Sequence, residues 1–193
     1  VDTDLIIPKQ YLKSIKKSGF GPFLFDSLRY TTTATLDSNS DRVEVSSFIL
    51  NQTPYKNGTI LIAKSNFGCG SSREHAVWAI QNYGINIVIA ESFADIFTRN
   101  SYANGLLLIC LDKNIIIKII NDALSSDSYK IMVHLESNTI TLPNEENISF
   151  TIDDSYKERI LNNLDDIELT LKYKNKITEY ENKIKQTKPW LFN

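Results

Sequence analysis

The chain has 193 residues, 42% hydrophobic and 23% charged, the balance of a soluble globular protein, and the length favours one domain over two. Its 21 basic and 23 acidic residues leave a formal charge of −2, which excludes the electrostatic footprint that nucleic acid or an anionic bilayer would demand. Two cysteines, Cys69 and Cys110, and two histidines are too few for a disulfide framework, a structural zinc site or an iron–sulfur cluster held by this chain alone, so a reducing cytoplasm is expected.

The opening VDTDLIIP reads as an extended stretch that ends at Pro8, where a central strand cannot continue. No apolar run approaches the roughly 20 residues of a membrane helix, and these first residues lack the layout of a signal peptide. Residues 9–18 carry Tyr11, Leu12 and Ile15 at helical spacing and stop at Gly19 and the Gly21-Pro22 turn, which predicts a helix. Residues 31–57 mix Thr, Asp, Ser and Asn around one apolar patch, Phe48 to Leu50, and read as a poorly ordered excursion without chemistry.

From residue 59 the pattern sharpens. TILIAK (59–64) has strand length and leads through a glycine-rich turn into a helical REHAVWAIQNY closed by Gly84. INIVIAES (85–92) is apolar on both faces, as a buried parallel strand should be, and precedes a helix FADIFTRNSYAN closed by Gly105 and a strand LLLIC (106–110). This strand–helix–strand–helix–strand run predicts an α/β fold with a mostly parallel central sheet, its functional loops at the carboxyl ends of the strands. KNIIIKIINDAL (113–124) follows as a helix, and YKIMVHL, NTITLP and ISFTI as strands of a β-rich C-terminal part. A helix starting at Asp153 or Asp154 runs to Leu164, and a last one spans 166–186 with a Lys- and Glu-rich face that reads as solvated.

The chemistry concentrates in Asn66-Phe67-Gly68-Cys69-Gly70-Ser71-Ser72-Arg73-Glu74-His75, between a strand and a helix start. Gly68 and Gly70 allow backbone to approach a ligand, and a helix beginning near Ser72 would aim free N–H groups and its positive dipole end at the loop, a setting for an anion. Arg73 adds a planar cation suited to a carboxylate, although a base in the first turn opposes the macrodipole. The plainer reading is structural: Ser71-Ser72-Arg73-Glu74 fits the S-x-x-E capping box, Cys69 fits a small buried hydrophobe, and His75 fits a packed histidine. The glycine pattern matches neither a dinucleotide fold nor a P-loop, which argues against nucleotide binding.

Together with VDTDLIIPKQYL (1–12), GFGPFLFD (19–26), ESFADIF (91–97) and NSYANGLLLI (100–109), the motif resembles the small subunit of 3-isopropylmalate dehydratase, in the aconitase superfamily. The resemblance covers the whole chain in order. It implies the swivelling β/β/α domain of aconitase-type enzymes, here a single domain over 1–193 with C-terminal helices, working with a large subunit that carries a [4Fe–4S] cluster. It also implies a short lead-in before VDTD, so that Val1 reads as a truncated start. The implied reaction isomerises 2-isopropylmalate to 3-isopropylmalate through isopropylmaleate in leucine biosynthesis, a small dicarboxylate being the substrate.

By the same resemblance Ser71 is the catalytic base, Gly70, Ser72 and Arg73 bind a substrate carboxylate, and Asp4 orients acid–base groups contributed by the other subunit, the structural alternative for Asp4 being a strand-end carboxylate bonded to a turn. Tyr11, Leu12 and Lys13, with Ser14, match the loop that recognises the variable end of the substrate. Leu12 suits an isopropyl group, whereas Lys13 would suit a third carboxylate and keeps homoaconitate open as the substrate. A non-catalytic binding module with the same fold is the reading from another class, and the intact run from Gly68 to Arg73 argues against it. The resemblance gives this chain no metal of its own and no nucleic-acid or membrane partner.

Overall fold

The computed structural model describes residues 1–13, 16–32, 34–35, 42–162, 164 and 166–191. It divides into two compact units, 1–152 and 153–193.

The first departure from the expected pattern is at the start. Residues Thr3–Ile6 form a short helix, α1, because Asp2 caps it by accepting the Leu5 N–H at 2.7 Å. Asp2 (φ −87°, ψ 165°) and Ile7 (φ −145°, ψ 113°), on either side of it, keep the extended conformation read for the whole segment. The helix expected over 9–18 shrinks to a 3-10 turn, Lys9–Lys13. Lys16, Lys17 and Ser18 are exposed and offer no apolar stripe to extend it; Ser14 and Ile15 lie outside the described residues. A second short helix, α2, spans Asp26–Arg29 behind Phe25, which takes a left-handed conformation at φ 51°.

The excursion after it is better ordered than its composition suggests. Tyr30 and Glu44 form an antiparallel bridge, and Ile49–Asn51 and Tyr55–Asn57 are 3-10 turns. Asn51 ties the region together: its side-chain amide donates to the carbonyls of Arg29 (2.7 Å) and Val45 (3.1 Å), and its oxygen accepts from the buried Arg29. Residues 33 and 36–41 of the excursion lie outside the described residues.

The central run forms as expected. Strands β1 (Ile60–Ile62), β2 (Ile87–Ala90) and β3 (Leu107–Cys110) lie side by side in that order, all parallel, with Leu61 opposite Val88 and Val88 opposite Leu108. Helix α3 (Glu74–Tyr83) crosses from β1 to β2 and α4 (Asp95–Asn104) from β2 to β3. Ala76, Val77, Ala79 and Ile80 of α3 are buried with Phe20, Phe23, Phe67 and Phe97 in one core. Gly21 lets the chain pass close to α3, since a Cβ there would lie 2.4 Å from the Asn82 carbonyl oxygen. Helix α5 spans Lys113–Leu124. The β-rich part builds a separate antiparallel sheet from β4 (Met132–His134), β5 (Thr139–Thr141) and β6 (Asn147–Ser149) rather than extending the first.

In the second unit, α6 (Asp154–Asn162) is capped by Asp153, whose carboxylate accepts the N–H groups of Ser155 (2.9 Å) and Tyr156 (3.3 Å). Hydrogen bonds from Ser155 and Tyr156 hold the Asp153 carboxyl below its ordinary range. The helix expected over 166–186 is two: α7 (Asp166–Leu171) and α8 (Lys174–Thr187). The break falls where the Tyr173 N–H turns back onto the Thr170 carbonyl and Lys172 pairs with Glu158 of α6.

Candidate active site

The loop that follows β1 is an extension of the sheet. Phe67 donates its N–H to the Ser92 carbonyl and accepts from the Ala94 N–H, both at 3.0 Å, which pairs it with Phe93 after β2. The Ser92 hydroxyl accepts the Asn66 N–H at 2.8 Å. Gly68, at φ 76°, then turns the chain over Phe97, where a Cβ would lie 2.2 Å from the ring carbon Cγ. No residue but glycine satisfies both demands.

On its other side the loop is bound to the amino-terminal residues. The Gly68 N–H donates to the Val1 carbonyl (2.8 Å), the Thr3 N–H to the Cys69 carbonyl (2.8 Å), and the buried Thr3 hydroxyl to the Ser71 carbonyl (2.9 Å). These bonds consume backbone groups and leave the serine side chains outward. Ser71 and Ser72 are exposed, and neither hydroxyl is engaged by another described residue.

The capping box does not form. Gly70 takes φ 96° and Arg73 stays extended at φ −140°, ψ 100°, so α3 starts at Glu74 with Arg73 as its N-cap residue and no side-chain cap. Arg73 therefore stands before the helix, where the macrodipole penalty on a first-turn base is smaller. Its guanidinium Nη1 pairs with the Asp4 carboxylate at 2.5 Å and donates to the Ile7 carbonyl at 3.2 Å. The side chain of Arg73 is 11% exposed and that of Asp4 53%. Glu74 accepts from the Asn104 side-chain amide (2.8 Å), and Asn104 also accepts from the Trp78 indole N–H (2.9 Å). His75 packs edge-on to Phe20 and close to Trp78, as a packed histidine would. Cys69 is half-buried in the loop, and Cys110 at the end of β3 has its thiol pushed up by burial.

Of the expected site residues, the fold brings Asp4, Gly70, Ser71, Ser72 and Arg73 together. Tyr11 is a correction. It is fully buried, stacked on Phe23 with ring centroids 4.2 Å apart, and its hydroxyl lies 2.8 Å from Asp26 Oδ2, so it presents no surface to a substrate. Burial first, then the hydrogen bond to Asp26 and its charge, push the Tyr11 phenol up to about 12. Leu12 is half-buried and Lys13 exposed, on the surface of the same turn. Thr3 is a support of the loop that nothing in the sequence marks beyond its place inside the VDTD run. A cavity of about 530 Å³ lies along β1 between Ile60, Tyr55 and Tyr129, and none of the expected site residues lines it. Among the described residues no group of three or more His, Cys, Asp or Glu side chains could hold a metal, and no helix is long and apolar enough to cross a membrane.

Residues 1–114 match the aconitase C-terminal domain family, and residues 166–193 match the C-terminal domain family of the 3-isopropylmalate dehydratase small subunit. The chain is 49% identical over 194 residues to the 3-isopropylmalate dehydratase small subunit of Marinobacter nauticus, covering 100% of this chain and 90% of that protein. Its fold is similar to the crystal structure of 3-isopropylmalate dehydratase from Methanocaldococcus jannaschii, with a TM-score of 0.61, 27% identity, and coverage of 94% of this chain and 92% of the other.

Proposed function

Because the chain belongs to the family of 3-isopropylmalate dehydratase small subunits, within the aconitase superfamily, we propose that Ser71 is the base of that hydro-lyase reaction and that Ser72, Arg73 and the Gly70 backbone hold a substrate carboxylate. The observation that supports this is the contrast at the loop: two exposed, unengaged hydroxyls beside a guanidinium fixed at the start of α3.

The isomerisation removes a proton and a hydroxyl from adjacent carbons of 2-isopropylmalate and returns them in exchanged positions. The proton lies α to a carboxylate. Its abstraction is assigned to the Ser71 oxygen, and the same oxygen returns it to the neighbouring carbon when water adds back. A hydroxyl is a weak base, so its anionic form needs nearby positive charge, which the Arg73 guanidinium and the positive dipole end of α3 supply. A bidentate fork on the carboxylate also orients the C–H bond toward the base. Asp4 holds the guanidinium in place, and the surface formed by Leu12 and Lys13 meets the substrate's variable end.

The cluster does not fit this chain. Cys69 and Cys110 are its only thiols, fewer than the three cysteines needed, and we place the [4Fe–4S] cluster in a large subunit that completes the active site. The two unpaired cysteines suit a cytoplasmic location. Residues 1–193 act together as one swivel domain in that assembly.

The test mixes the purified chain with a cluster-loaded large subunit and follows isopropylmaleate by absorbance. Turnover by the pair and none by either chain alone is expected. Failure of the pair, with another small subunit active on the same large subunit, would overturn the assignment.

A further inference from the structure

The substrate-facing turn Lys9–Lys13 is held from behind by a buried polar network that the reaction itself does not use. Tyr11, its third residue, points inward to Asp26. The phenol oxygen also lies 3.0 Å from the Ala34 carbonyl and accepts the Ala34 N–H at 3.2 Å. The second carboxylate oxygen of Asp26 pairs with the Arg42 guanidinium, which donates to the Pro22 carbonyl (3.0 Å) and lies 3.8 Å over the Tyr30 ring. Asp26 is 1% exposed, and the side chain of Arg42 is 6% exposed.

Tyr11 and Arg42, distant from one another in sequence, thus converge on one carboxylate carried by α2, and Ala34 joins them through the Tyr11 hydroxyl. A shared buried acceptor adds a directional constraint to the apolar packing around it, because each partner left without it would be a buried polar group unsatisfied. The same turn is tied at its entrance to the reaction loop, since the carbonyl of Ile7, two residues before Lys9, accepts from Arg73.

We propose that Asp26 is a positioning residue that acts through Tyr11 to set where Leu12 and Lys13 stand, and so tunes the enzyme's choice among 2-hydroxy diacids that differ in the alkyl group. This rests on the reading that Leu12 and Lys13 face the substrate's variable end. The network lies behind the turn and touches neither the serines nor the reacting carbons. Its loss should therefore weaken discrimination while leaving proton transfer at Ser71 intact.

The experiment measures kcat and KM of the pair with the large subunit on 2-isopropylmalate and on analogues bearing ethyl and n-butyl groups, for the wild type and for Y11F, D26N and L12A. Y11F keeps the stack on Phe23 and removes only the hydroxyl, so it carries the test if D26N does not fold. Y11F and D26N should raise KM for 2-isopropylmalate and compress the ratio of kcat/KM between the substrates by roughly tenfold, with kcat changed much less. A loss of folded protein lowers every rate in proportion and leaves that ratio unmoved. If L12A shifts the ratio and neither Y11F nor D26N does, positioning by Asp26 is overturned. If L12A leaves it unchanged too, it is the placement of this turn at the substrate that fails.

Discussion

The guanidinium of Arg73 is held 2.5 Å from the carboxylate of Asp4, which joins the start of α3 to the first turn of the chain. A residue that opposes its own helix dipole when read from sequence has its charge met by a partner far back at the amino end. The pair is half in solvent on the Asp4 side, so its worth lies in orientation more than in stability.

A split between folding and activity is therefore expected. D4N should lower stability by less than about 1 kcal/mol, because the exposed partner is screened by water, while kcat/KM of the reconstituted enzyme falls about a hundredfold as the guanidinium loses its bearing. Thermal melts and steady-state rates on one preparation check both. R73K, which keeps the charge and loses the fork, should raise KM.

S71A removes the proposed base from an exposed position. Stability should stay within about 0.5 kcal/mol of wild type, and kcat should fall by roughly 10²–10⁴. Assembly with the large subunit, followed by gel filtration, should be unchanged. A wild-type kcat in S71A would remove Ser71 from the role of base.

The glycines separate two costs. At Gly84 (φ 108°) a Cβ meets nothing within 4 Å, so G84A costs only backbone strain, about 1 kcal/mol. At Gly68 the same strain adds to a collision with Phe97, so G68A should cost about 2–4 kcal/mol. Denaturant titration of the two variants gives the comparison.

Tyr11 makes the fold sensitive to alkali. An ordinary tyrosine ionises near 10, and the folded chain holds this phenol protonated up to about 12. Between those values the unfolded chain loses the proton while the folded one keeps it, so stability falls as pH rises through this window and is fully present below it. The fall should be shallower in Y11F, as read from denaturation midpoints between about pH 8 and 12.

The central strands and helices are legible in the sequence because their signals are local. Short apolar runs mark β2 and β3, the first of them β-branched, and Gly84 and Gly105 mark the ends of α3 and α4. The reaction loop is legible as a glycine turn between strand and helix. What escapes depends on partners far along the chain. Tyr11 sits at helical spacing, and its inward seat is set by partners farther along: Phe23 under its ring, and Asp26 and Ala34 at its hydroxyl. Ser71 and Glu74 fit a capping box by spacing alone, yet Thr3 and Asn104 hold that stretch in another conformation. Asp2 as the cap of α1 is a local signal, masked by Pro8, which suggests an extended segment.

The bonds that stitch Phe67 to Ser92 and Ala94 settle how the serines travel. A loop bonded at Phe67 to the segment after β2, and at Cys69 and Ser71 to Thr3, is braced on both sides and is not built to fold down like a flap. Under the proposed function, Ser71 meets its substrate together with the sheet and α1 that brace its loop, in the way a stamp, and not a finger, meets the page.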